Sequence, residues 1–440
     1  ATASAVETLC GEHQSGSDAT MAAALSVLAE RAWEQGRTGD AVTLADAAVR
    51  RLDRAPAAGH HPRLSLAAMH TSLGDLSAAQ ACIDAATAEL TATTDALWAP
   101  CPAIARARNA LAAGQLAVAV AEAASALAAA EQLGTTVVAA DALTIQARAS
   151  LIGGDLRMAC DLLARRRDLV APQRPDDAVA AWVTVAVAEA QDGPAATLTA
   201  ARRLCATLRE RPRLLLDEVV VAAWLTRLAV AAGDKALATE LVGQIERLAA
   251  ASHDALAVVA AHSHASGLLS ADADGLERAA AIQTEPWAAA SAWEDAGRLH
   301  AETGDSSRAR SALAEALARY QGVDAERDGA RVRARLRRLG VRRSHGRRKD
   351  RPISGWDSLT ESEKRVARVI AEGLSTGQAA QRLFISPHTV DSHVRHSFRK
   401  LGINSRVEMT RIVLNSDDAG KAKVSRNAGT EPHVQGMPGR

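Results

Sequence analysis

Apolar positions along this chain fall at helical rather than strand spacing. Val, Ile and Thr never cluster into regular alternating runs, so no strand is expected and the fold class is all-α. One theme returns through the first three quarters of the sequence, as "SLGDLSAAQA", "AAGQLAVAVA", "IGGDLRMACD" and "AAGDKALATE". Within it Gly36, Gly74, Gly114, Gly154, Gly193 and Gly233 stand 38, 40, 40, 39 and 40 residues apart, and Gly275 and Gly304 continue the series less regularly. Five residues after each glycine comes Ala41, Ala79, Ala119, Ala159, Leu198, Ala238, Ala280 or Ala309. Glycine suits the left-handed residue that ends a helix. An Asp or small polar residue after it starts the next helix, and alanine five positions on lets the two helices approach closely. Such a hairpin cannot bury its apolar face alone, so neighbours must stack into a superhelical rod with a concave surface.

The "GxxxxA" core of this theme resembles the tetratricopeptide (TPR) repeat family. The period is longer than that family's roughly 34 residues, and the aromatic positions are kept only in places, Trp33 and Trp293 among them. Residues 20–330 are read as a TPR-like solenoid of seven or eight hairpins after an N-terminal segment, 1–19. A binding platform is what that fold usually provides, which is analogy rather than chemistry.

The pattern changes near the end. Thr360 with Glu363, Ser375 with Gln378 and Ser405 with Glu408 each form a capping box, a Ser or Thr that caps a helix with Glu or Gln three residues later. Ser386 caps a further helix, with Pro387 at its first position, where no amide donor is needed. Val366, Val369 and Ile370 form one apolar face, and Ala379, Ala380 and Leu383 the next. In the third helix Val390, Val394 and Leu401 share a face with Ser397 between them, while His388, Asp391, Ser392, Arg395 and Arg399 lie opposite. The short "LFIS" connection gives the spacing of a helix-turn-helix, whose second helix enters the DNA major groove.

The segments "LTESEKRVARVIAEGLS", "AAQRLFISPHTVDSHV" and "FRKLGINSRVE" closely resemble the LuxR-type (GerE-like) DNA-binding domain of bacterial transcription regulators, over residues 357–414. The resemblance implies a sequence-specific DNA-binding regulator that reads the major groove with residues 387–401. It makes Asp391, Ser392 and Arg395 base-facing, and gives Thr389, His393, Arg399 and Lys400 to phosphates or helix orientation. Ser386, His388 and His396 complete the DNA-facing set. It places dimer contacts at Val407, Thr410, Arg411 and Leu414. The implied partners are double-stranded DNA, a second copy of the chain, RNA polymerase, and a small-molecule or protein effector on the repeats. Three departures stand out. Thr376, Gly377, Gln378 and Ala379 replace the family's Asn-Lys-Glu-Ile, Ser397 replaces an apolar residue, and Asp391 puts a negative charge in the groove. The competing reading is an interaction scaffold whose last domain no longer binds DNA. Many such regulators carry an ATPase domain before the repeats. No GxxxxGK[ST] loop occurs here, so the chain reads as a shortened member or a fragment.

Composition supports this organisation. Apolar residues make up 48% but aromatics only 2%, the excess being alanine, which favours many thin helix–helix contacts. A net charge of +1 hides an uneven distribution. Residues 331–351 hold ten arginines and one lysine against Asp350 alone, a basic joint (331–356) that would add phosphate contacts beside a DNA-binding module. Residues 415–440 are expected to be a disordered tail. Five scattered cysteines without CxxC spacing fit a reduced cytoplasmic protein. No membrane span, cofactor or metal site is expected; His60–His61 and His262–His264 lack a third ligand at helical spacing. No nucleophile–base pair supports an enzyme.

Overall fold

The computed structural model describes residues 18–52, 61–92, 98–170, 178–252, 255–340, 355–359, 361–383, 387–403 and 405–414, and among these no strand occurs. The chain divides into two compact units, Ala1–Arg342 and Arg343–Arg440, each with its own core.

Unit 1 is a series of antiparallel helix pairs. They are α1 (Asp18–Glu34) with α2 (Thr38–Leu52), α3 (Pro62–Leu73) with α4 (Leu76–Ala92), α5 (Cys101–Ala112) with α6 (Leu116–Leu133), and α7 (Thr136–Gly153) with α8 (Leu156–Leu169). Then follow α9 (Ala178–Asp192) with α10 (Pro194–Glu210) and a single turn, α11 (Leu214–Asp217). The last pairs are α12 (Val220–Ala231) with α13 (Lys235–Ala251), α14 (Leu256–Ser270) with α15 (Ala273–Ile282), and α16 (Pro286–Glu302) with α17 (Ser306–Gly322). A closing helix, α18, spans Glu326–Arg338.

The repeat theme does what its chemistry demands. Asp155, Asp234 and Asp305 cap α8, α13 and α17 by accepting the amides of Met158, Leu237 and Arg308 at 3.0–3.1 Å. Ala41, Ala79, Ala119, Ala159, Ala238 and Ala309 have no exposed surface, because they lie where paired helices touch. The seventh turn departs from expectation. Gly275 lies inside α15, and the left-handed residue is Ala271 (φ 55). Asp272 caps α15 through the Gly275 amide at 2.9 Å, so the cap is kept while the turn glycine is not.

The rod also coils until it meets itself. The turn at Gly36 packs on Leu248 and Ala251, the turn at Gly74 on Thr284, the turn at Gly114 on Val323 and Pro286, and Gly154 on Arg327. Each contact joins one hairpin to the chain five hairpins later. The side chain of Trp33 donates to Asp217 at 2.8 Å and Arg213 pairs with Glu30 at 2.6 Å, tying α1 to α11 in the same way. The expected concave face is therefore left as two cavities on the inside of the coil.

Among the described residues one helix, α6, is 18 residues long with a mean hydropathy of 1.4, enough by length and composition alone to cross a membrane. Its Glu122 pairs with Arg106 of α5 at 2.9 Å and its Glu131 with Arg165 of α8, which hold it in the repeat stack. Helix α18 runs on through Arg338, so the first part of the basic run is solenoid, with Leu336 and Leu339 packed on the core. Residues 341–354 and 415–440, which hold the rest of the joint and the tail, lie outside the described residues.

Candidate nucleic-acid interface

Unit 2 packs short helices around an apolar core. A turn of 3-10 helix at Trp356–Ser358 precedes α19 (Glu361–Ala371), α20 (Thr376–Leu383) and α21 (Pro387–Leu401), and residues 406–414 form α22. Val366, Val369 and Ile370 of α19, Ala379 and Ala380 of α20, Val390 and Val394 of α21 and Met409 and Val413 of α22 make that core. The faces of α19, α20 and α21 are those legible in the sequence at helical spacing, and Met409 and Val413 of α22 join them in the fold.

The capping chemistry fixes where the helices begin. The Ser375 amide donates to Gln378 Oε1 at 2.9 Å and the Gln378 amide to Ser375 Oγ at 3.3 Å, the reciprocal pair of a capping box. The Glu408 amide donates to Ser405 Oγ at 3.2 Å, opening α22. Gly373 and Gly402 (φ 89 and 67) end α19 and α21. Pro387 opens α21, and only residues 384–386 separate it from α20. Thr360 and Ser386 lie outside the described residues.

Helix α21 is two-faced. Val390, Val394 and Ser397 are buried against α19 and α20, while Asp391 and His393 are half-buried and Arg395 is exposed. Asp391 and Arg395, one helical turn apart, form an ion pair on the open face. The carboxylate that looked like a liability in the groove thus holds the guanidinium beside it, and two of the three expected base-facing residues stand together. The side chains of His388, Thr389, Ser392, His396 and Arg399 lie outside the described residues, although their backbone belongs to α21.

One contact escaped the sequence. Lys400, expected to hold phosphate or orient the helix, places its ammonium 2.6 and 2.8 Å from the oxygens of Glu363, which is buried in α19. The pair ties the C-terminal end of α21 to the first helix, and only the crossing of two helices 37 residues apart could reveal it. Ser397 is fully buried and its Oγ has no hydrogen-bond partner. On α22, Val407 and Leu414 are 80% and 60% exposed, and Arg411 is exposed, whereas Thr410 bonds its own helix through the Arg406 carbonyl at 3.0 Å.

Residues 357–413 match the family model for bacterial regulatory proteins of the luxR family, and this segment is a helix-turn-helix domain of that family. A protein of Mycobacterium tuberculosis described as an HTH-type transcriptional regulator is 49% identical over 69 residues, 16% of this chain and 8% of that protein. A nitrate/nitrite response regulator protein homolog of Haemophilus influenzae is 45% identical over 75 residues, 17% of this chain and 33% of its own length. The Escherichia coli nitrate/nitrite response regulator protein NarP is 44% identical over 61 residues, 14% and 28% of the two chains. The likeness thus spans less than a tenth of the mycobacterial relative and about a third of the shorter one. Among solved structures, that of a Rap protein complexed with competence and sporulation factor superposes with a TM-score of 0.38 at 12% identity, over 72% of this chain and 97% of that one.

Proposed function

We propose that this chain, ending in a luxR-family domain, is a sequence-specific DNA-binding transcription regulator that inserts α21 into the major groove. The observation that carries the reading is the division of α21, which packs Val390 and Val394 into the core of a matched helix-turn-helix and turns Asp391 and Arg395 outward. Arginine can bind guanine through two hydrogen bonds, and an aspartate accepts from the amino group of cytosine. Around them, Ser386, His388, Thr389, Ser392, His393, His396 and Arg399 are assigned to bases and phosphates, and Lys400 to anchoring the helix. Phosphate contacts fix register while base contacts specify sequence.

A homodimer is the DNA-bound form in this reading. Val407 and Leu414, seven residues apart on one helical face, supply an apolar seam flanked by Thr410 and Arg411. Two half-sites related by twofold symmetry follow. The helical repeats bind the effector, a small molecule or a protein, the cytoplasm is the site of action, and RNA polymerase is the downstream partner. Electrophoretic mobility shift with genomic fragments tests the core of this. The chain should retard a subset of fragments, and Arg395→Ala should lose that selectivity, with affinity for the selected site falling at least tenfold. Retardation of no fragment would return the scaffold reading, which the buried, unpartnered Ser397 hydroxyl favours, and retardation of all fragments alike would leave DNA binding without sequence readout.

A further inference from the structure

The coil of unit 1 holds two cavities of similar size and opposite charge. The first, about 360 Å³, is lined by five carboxylates and three arginines. The second, about 350 Å³, is lined by six arginines and four carboxylates, with three tryptophans and a tyrosine among them. Arg148 belongs to both walls. Each volume falls within the range of small-molecule sites.

In the second cavity three of the four carboxylates, all but Glu189, are already occupied. Glu294 accepts from Arg331 at 2.7 and 2.5 Å and from the Tyr320 hydroxyl at 3.0 Å. Asp328 accepts from Trp287 Nε1 at 2.8 Å and from Arg331 at 2.6 Å. Asp295 takes Arg227 at 2.6 Å and His264 at 2.9 Å. Burial alone would raise its carboxyl, but Arg227 and His264 hold it well below the usual carboxylate range. Arg335 and Arg298 reach these buried acids only at 3.4 and 4.0 Å. Arg298 is taken instead by Glu302, at 2.8 and 3.0 Å, so the unmatched positive charge sits on the side of Arg335.

Two donors in the wall have no partner. Trp182 Nε1 and Arg148 Nε are both buried and unbonded, on residues 2% and 6% exposed. The terminal nitrogens of Arg148 are taken by Glu218 and, at 3.2 Å, by Glu285, and its guanidinium lies 5.0 Å from the centre of the Trp182 ring. A buried donor without an acceptor costs about 1–3 kcal/mol, and folded proteins seldom keep one. Two on neighbouring side chains, in a cavity rich in arginine and indole, mark a place for an acceptor that arrives with a ligand.

We propose that this cavity binds a small aromatic carboxylate. Its carboxylate accepts from Trp182 Nε1–H and Arg148 Nε–H, its ring packs among Trp224, Trp287 and Leu228, and Arg335 offsets its charge. The first cavity, with its acidic wall, is closed to the same ligand by repulsion. The proposal deepens the reading of the repeats as an effector-binding region but is tested by binding alone. Calorimetric titration of the full chain without DNA, using 2-naphthoate as probe, should give one site per chain, with the neutral 2-naphthamide at least tenfold weaker. Trp182→Phe keeps the ring and removes the donor, and should weaken 2-naphthoate about tenfold. Arg335→Gln should weaken the acid but not the amide, and Arg108→Gln in the first cavity should change neither. Absence of saturable binding would overturn the proposal, as would equal affinity for acid and amide. If Trp182→Phe does not fold, the acid-to-amide ratio in the Arg335→Gln chain decides alone. Failure here leaves the DNA-binding reading untouched, and a failed mobility shift leaves this site standing.

Discussion

Ser397 sits on the buried face of α21 with Val390 and Val394, yet its hydroxyl meets no acceptor. From the sequence it was visible as a polar residue at an apolar position. That it stays unsatisfied depends on what surrounds it, which spacing cannot tell. Ser397→Ala removes the buried hydroxyl and slightly favours helix, so unit 2 should gain about 1 kcal/mol. Hydrogen exchange of the α21 amides reads the change, and slower exchange is expected. Lys400 teaches the converse. As one of two adjacent basic residues near the end of a recognition helix it was given to phosphate or to helix orientation, and its pair with Glu363 ties the helix to α19. Asp391 also changes meaning, from a charge opposing DNA to one that positions Arg395.

At the scale of the element, the glycines of the repeat serve two separate ends. Gly304 (φ 86) closes α16 in open space, and a Cβ there would touch nothing within 4 Å. Gly114 (φ 74) needs the same backbone, but a Cβ would overlap Val323 Cγ1 and lie 3.1 Å from Val323 Cβ, on the next turn of the coil. Gly304→Ala should then cost only the left-handed backbone, about 1 kcal/mol. Gly114→Ala adds overpacking and should cost about 2–4 kcal/mol. Thermal denaturation of the two variants separates these terms, and equal losses would mean that the turns of the coil do not bear on each other. The period of glycines was plain in the sequence, as were the Asp caps after them. Which glycines face a second turn of the superhelix was not, because that contact joins residues some 210 positions apart.

Across the whole of unit 1, charge buried on the inside of the coil sets the response to pH. Burial raises the Glu285 carboxyl to about 7, against the pull of Arg148 and with Glu218 nearby adding to the rise. The folded chain therefore keeps a proton that the unfolded chain releases near the ordinary glutamate value of 4.5. Its contribution to stability is present below that value and is lost as pH rises through about 7. Glu285→Gln should gain on the wild type between pH 5 and pH 8 by about 2–3 kcal/mol. Melting curves across that range test this; a constant difference would place the Glu285 titration elsewhere.

The sequence by itself determined the helical class, the hairpin period with its buried alanines, and the helix-turn-helix at the end. These rest on local rules, 3.6-residue spacing, capping and turn chemistry, which act within a few residues. Tertiary structure alone decided that the rod closes on itself, that its inner face becomes two cavities of opposite charge, and that Trp182 and Arg148 are left with unmet donors in one of them. Those outcomes depend on contacts between hairpins five repeats apart and on buried electrostatics, where each group's partner is set by the path of the whole coil.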